Sequence, residues 1–177
     1  DIINLKSSEI LIKDSISKIE NDADLKHISD SASKYNSWYV IRCDTTNSVC
    51  ADEIRIKYSE NCYESVPSFS IDEAISINIK NSFLTIIIEE NYFDIKNALI
   101  KLLINDNKII LICNQKIDDS DIKLFEERKK IKIIEMPKSK KYFSFIPTII
   151  AGQFLSYYLA KGLDRRKDFF IEILKNI

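Results

Sequence analysis

Glycine is almost missing from this chain: Gly152 and Gly162 are the only two in 177 residues. Phosphate cradles of the GxGxxG and GxxxxGK[ST] types are excluded with it, because both need glycine where backbone closes on a phosphate. Histidine is reduced to His27, and Cys43, Cys50, Cys62 and Cys113 form no CxxC. Neither a zinc-ligand spacing nor a dithiol redox motif can be read from them. The expectation is no metal, no cofactor, and a reduced, cytosolic chain with buried thiols.

Neither sign of charge is in excess: 26 Lys+Arg face 27 Asp+Glu. No basic patch with interleaved aromatics appears, so nucleic acid is not an expected partner. No signal-peptide pattern opens the sequence. The apolar run from Phe143 to Leu159 is broken by Pro147, Gln153 and hydroxyls. A buried or interface helix is expected there, not a membrane span. The start at Asp1 instead of Met is expected to mean a processed protein or a fragment numbered from its own beginning.

What is present is an alternation of strand and helix signals. Ile12, Ile16 and Ile19, then Leu25, Ile28 and Ala32, keep two helical stripes broken at Asn21 to Asp24. Residues 1–36 are therefore expected to form connector helices, with a single α/β domain over 37–177. In that domain "WYVIRC", "FLTIIIE", "KIILIC" and "IKIIEM" are short, apolar and β-branched, each followed by a helical pattern. Strands without in-out alternation are buried on both faces, as in a parallel sheet covered by helices. The expected fold is a three-layer α/β/α sandwich with a four- to five-stranded parallel sheet, "YESVPS" near Tyr63 being the candidate fifth strand. Ligands of such sheets sit outside the carboxyl ends of the strands. That points to residues 44–48, 89–92 and 114–118.

The loop "DTTNS" brings Thr45, Thr46 and Ser48 to a strand-to-helix junction, where hydroxyls and free N–H groups either cap the helix or bind an anion. In the loop "EEN", Glu89 and Glu90 would repel a phosphate, so for a phosphorylated substrate the main phosphate cradle is expected from another domain or subunit. The helix expected from Ser48 to Asn61 buries Ala51, Ile54 and Tyr58, with Ile56 on a flank. Beside that stripe stand Glu53, Lys57 and Glu60, spaced i, i+4, i+7 on one face. Such a row is either a stabilising surface charge pattern or a proton-transfer site.

From Tyr39 to Asp164 the chain resembles a sugar isomerase (SIS) domain. Within that family it is similar to the second of the two such domains in the isomerase half of glutamine–fructose-6-phosphate aminotransferase. The family's helix has the form A-x-E-x-x-x-K-x-x-E, and "DEIRIKYSE" supplies Glu53, Lys57 and Glu60 in that register. The family's aromatic and its E-L-K-H-G-P element fall on Phe69 and on "EAISIN", which begins at Glu73. "QFLSYYLAKGLD" is similar to its late Q-L-x-A-Y helix. The departures are equally definite. "IRC" retains only Arg42 of a Gly-Arg-Gly, Ser76 stands where the family has its histidine, and the final "DRRKDFFIEILKNI" does not match the lysine-containing tail.

The resemblance implies that Glu60 shuttles a proton between C1 and C2 of a ring-opened sugar phosphate, with Lys57 as helper. Glu53, Arg42, Thr45, Thr46 and Ser48 would line the substrate site. One expectation is half of a two-domain isomerase or deaminase acting on fructose 6-phosphate or glucosamine 6-phosphate. The alternative is a non-catalytic phosphosugar-binding or dimerisation domain. A second SIS domain, in the same gene product or a partner subunit, and a homodimer formed through the Gln153–Leu159 helix are the expected protein partners.

Overall fold

The computed structural model describes residues 2–43, 48–88, 92–127, 130–138, 143 and 145–163. Five strands, β1 (Trp38–Arg42), β2 (Ser68–Ser70), β3 (Phe83–Ile88), β4 (Lys108–Cys113) and β5 (Ile131–Glu135), form one sheet in the order β2-β1-β3-β4-β5. Every pairing is parallel, for example Ile41 with Ile86 and Ile86 with Leu111. The expected sandwich is the fold found. Burial explains the unbroken apolar strands: all six residues of β3 are buried, so each of its two faces meets a core.

Those cores are separate. On one side α4 (Ser48–Cys62) and α8 (Phe145–Gly162) pack Cys50, Ala51, Ile54, Tyr58 and Leu155 against Trp38, Phe83, Ile110 and Ile134. On the other, α5 (Ile71–Ser76), α6 (Tyr92–Ile104) and α7 (Asp119–Glu127) cover Ile41, Leu84, Ile86 and Leu111. The leading helices α1 (Ile2–Glu20), α2 (Ala23–Lys26) and α3 (Ile28–Ala32) lean on α8, and Ile19, Leu25, Ile28 and Ala32 enter the first core. Their break falls at Asp22, whose carboxylate caps α2 by accepting from the amides of Asp24 and Leu25.

The fifth strand begins later than "YESVPS" suggested. Tyr63 turns the chain out of α4 with φ 57°, and Pro67 has no N–H to give a ladder. Pairing starts where Val40 N–H donates to the Pro67 carbonyl, so the strand is Ser68–Ser70. The helix α5 is an addition to the expected elements, although its signal is in the sequence. Ser70 and Glu73 form a reciprocal capping box, each side chain accepting from the other's backbone N–H.

Both glycines lie on α8 at helix crossings. A Cβ at Gly152 would come within 2.2 Å of Ile54 Cγ1 on α4, and one at Gly162 within 1.7 Å of Ser29 Oγ on α3. No helix among the described residues is long and apolar enough to cross a membrane.

Because Ile54 is fully buried, it has nowhere to retreat. Gly152→Ala is expected to lower the free energy of unfolding by about 1–3 kcal/mol through overpacking. Combining it with Ile54→Ala should cost less than the two single changes added, since each then makes room for the other. Denaturant titration of the three variants reads that coupling.

Candidate functional site

The direction of the chain changes sides at β1. After it, α4 crosses one face of the sheet to reach β2 at the edge, while after β3, α6 crosses the other face to reach β4. The carboxyl ends of β1 and β3 are therefore the topological switch point, the crevice position at which such sheets bind ligands. Arg42 and Cys43, both half-buried, and Ser48, the first residue of α4, border it. Thr45, Thr46 and the Glu89–Glu90 loop lie outside the described residues. Arg42 faces an acidic neighbour. The Glu73 carboxyl is held below the usual range first by its hydrogen bond from Ser70 N–H and, more weakly, by the Arg42 charge.

The second group of residues sits elsewhere. α4 starts at the carboxyl edge of the sheet and runs back along its face. At 1.5 Å per residue, Glu60 is about 18 Å from Ser48. The predicted site residues thus fall into two places: Arg42 and Ser48 at the crevice, and Glu53, Lys57 and Glu60 along the outer side of α4. Lys57 Nζ donates to Glu60 Oε2 at 2.7 Å and stands 4.0 Å from Glu53 Oε1. The hydrogen bond to Glu60 raises the Lys57 pKa above the ordinary lysine value; partial desolvation opposes the shift, and the charges of Glu60 and Glu53 reinforce it. The ammonium is thereby kept protonated between two carboxylates. Glu60 is 55% exposed.

Exposure on this side is not confined to charge. Val49 is 67% and Ile56 39% exposed. Ile56, expected on the flank of the buried stripe, instead stands in an outward row. Val49, Glu53, Ile56 and Glu60 are spaced i, i+4, i+7, i+11 and share one face. A row of apolar side chains interleaved with carboxylates, left in water, is a surface suited to cover.

The opposite side of α4 is pinned. Tyr58 OH and Thr85 Oγ1 are 2.7 Å apart in the core, and burial pushes the phenol pKa well up. Ser156 on α8 donates to the Lys57 carbonyl at 2.9 Å and accepts from Asn61 Nδ2 at 2.9 Å. The backbone that presents Lys57 and Glu60 is thus anchored from beneath, which spacing along α4 alone could not reveal. On α8 itself Leu155, Ser156, Tyr158 and Leu159 are buried within this chain, leaving Gln153 and Tyr157 outward. No group of three or more His, Cys, Asp or Glu side chains among the described residues could hold a metal ion.

No family model and no curated protein matches the sequence. Solved structures do. The C-terminal domain of glucosamine–fructose-6-phosphate aminotransferase from Francisella tularensis superposes with a TM-score of 0.68 at 17% identity, over 89% of this chain and 43% of that one. A hypothetical protein from Methanococcus jannaschii, whose structure was taken to infer a 3-hexulose-6-phosphate isomerase, gives 0.62 at 15% identity, covering 96% of each chain. The Vibrio vulnificus NanR protein complexed with ManNAc-6P gives 0.61 at 8% identity, over 98% of this chain and 69% of that one. This chain therefore spans less than half of the Francisella structure and nearly all of the Methanococcus one.

The hydrogen bond between Lys57 and Glu60 carries a pH signature. A raised lysine pKa means that the pair's contribution is complete below the ordinary lysine value and lost as pH rises through the folded one. In Glu60→Gln the Lys57 midpoint should fall back toward the ordinary range, read from the 13Cε shift of that lysine. The fold, with its five parallel strands and its helices, is that of the sugar isomerase domains, as the resemblance in the sequence implied.

Proposed function

We propose that this chain handles a phosphosugar as one half of a two-domain sugar isomerase unit, with a second domain lying over the outer side of α4. The observation that carries the reading is the uncovered row of Val49, Glu53, Ile56 and Glu60 with Lys57 beside it. A carboxylate removes a proton from carbon effectively only where water is displaced. Glu60 in this chain alone is in water, and a covering domain supplies the dryness it lacks.

The substrate of this reading is fructose 6-phosphate or glucosamine 6-phosphate in its ring-opened form. With the ketose, Glu60 takes a proton from C1, the electrons pass through a C1–C2 enediol, and the same proton is returned to C2 to leave the aldose. The compensating proton leaves the C1 hydroxyl and is taken up by the C2 oxygen as the carbonyl migrates from C2 to C1. Lys57 polarises that oxygen with its fixed positive charge. Glu53, on its other side, holds the ammonium in line.

About 18 Å separates Ser48 from Glu60, more than a hexose phosphate spans. A sugar at Glu60 therefore takes its phosphate grip from the covering domain, in keeping with the acidic Glu89–Glu90 loop of this chain. Arg42, Thr45, Thr46 and Ser48 would serve a ligand at the crevice instead.

A second reading has its own support. Glu73 is committed to the α5 cap and Ser76 stands where the family has histidine, so ring opening lacks its helper. The chain then binds a phosphosugar without turning it over, and the covering domain is a dimer mate.

Proton NMR of fructose 6-phosphate and glucosamine 6-phosphate in D2O with the full native protein separates the two. Deuterium entering C1 or C2, and lost in a folded Glu60→Gln variant, supports the isomerase reading. Line broadening of the sugar without exchange, together with slower alkylation of Cys43 at the crevice, supports binding alone. If neither sugar exchanges, broadens or protects Cys43, both readings are wrong.

A further inference from the structure

Far from α4, the sheet ends at β5, and nothing among the described residues pairs with its outer edge. The parity of its backbone is fixed by the ladder. Ile109 N–H donates to the Lys130 carbonyl, Met136 N–H donates to the Cys113 carbonyl, and the Cys113 thiol reaches the Ile134 carbonyl. In a parallel pair the same alternate residues direct both N–H and C=O to the neighbouring strand. Residues 130, 132, 134 and 136 therefore face β4, and the N–H and C=O groups of Ile131, Ile133 and Glu135 face outward.

That edge is not open to bulk water as a bare rim. It forms the floor of a groove of about 900 Å³ between the leading helices and α7. Over five residues at about 3.3 Å each, the floor is long enough for four or five residues of another strand. No proline or bulge interrupts Ile131–Glu135, although Lys132 and the flanking helices shield the edge in part. The two walls differ. On the α7 side Ile122 and Phe125 are apolar, whereas the α1–α2 side presents Asp14, Asp22 and Asp24. With Glu135 the groove counts four carboxylates against two ammonium groups, Lys18 and Lys132. Lys132 is already engaged by Asp22 at 2.9 Å and Asp24 at 3.0 Å.

We infer that the β5 edge is a docking groove for an extended segment of another polypeptide, which adds as a sixth strand. Its side chains alternate, apolar toward Ile122 and lysine or arginine toward Asp14. Main-chain hydrogen bonds to Ile131, Ile133 and Glu135 supply the attachment, and the unlike walls set which face of the added strand turns where. This groove is separate from α4 and does not depend on the phosphosugar reading.

The test uses a capped peptide of about ten residues alternating valine and lysine, with a valine–glutamate peptide as its counterpart. Saturable binding of the lysine peptide, with slowed hydrogen exchange at the amides of Ile133 and Glu135, is the expected result. Ile133→Pro removes one outward N–H and no rung of the sheet, so it should abolish binding while the β4 amides stay protected. Asp14→Lys, at an exposed rim position, should weaken binding about twofold to fivefold without touching the edge. Should Ile133→Pro unfold the chain, the amide pattern and Asp14→Lys still decide. Equal binding of the glutamate peptide, or no protection of the two amides, overturns the inference. Self-association abolished by Ile133→Pro would overturn it too, by giving the edge to a second copy of this chain.

Discussion

The close approach of α8 to α4 is the constraint on which the candidate site rests. Gly152 lets α8 come down onto Ile54, and Ser156 then reaches the carbonyl of Lys57 and the amide of Asn61. A larger residue at Gly152 would lift one helix from the other and loosen both bonds at once, because a close-packed core has no slack to absorb the shift. With its underside held by Ile54, Tyr58 and Ser156, α4 can carry charge on its outer side without rolling. The second glycine does similar work at α3, where Ser29 occupies the space of its missing side chain. Scarcity of glycine is thus informative: the chain keeps it only where two helices nearly touch.

The charge row acquires a different meaning in this setting. Glu53, Lys57 and Glu60 alone would be a surface pattern contributing about a few tenths of a kcal/mol per pair. Interleaved with exposed Val49 and Ile56, the same row is a surface whose apolar members have no solvent role. The switch point at the carboxyl ends of β1 and β3, with Arg42 and Ser48 beside it, is the other candidate place. It is separated from Glu60 by most of the length of α4. Under the proposed phosphosugar reading, the work would be divided between the two ends of one helix.

Much of the architecture was readable from local pattern. The four longer strands announced themselves by unbroken β-branched runs, since burial on both faces leaves no place for alternation. The fifth was misplaced by a few residues because a three-residue edge strand has little pattern of its own, and Pro67 and the left-handed Tyr63 decide where it begins. The capping box of Ser70 and Glu73 is present in the letters, but the resemblance assigns "EAISIN" another role. Helical spacing puts Ile56 on a buried flank because it ranks residues by angle, whereas its exposure depends on where α8 stops covering α4.

The sequence by itself determined the parallel sheet, its helical cover, the crevice position and the shared face of Glu53, Lys57 and Glu60. Each of these follows from periods of two and 3.6 and from the connection rules of parallel strands. Only the tertiary structure decided that Glu60 is wet, that Lys57 leans to Glu60 and not Glu53, and that β5 lies at the bottom of a groove. These are properties of distances between segments remote in the chain, set by how two cores close around one sheet, and no local pattern records them.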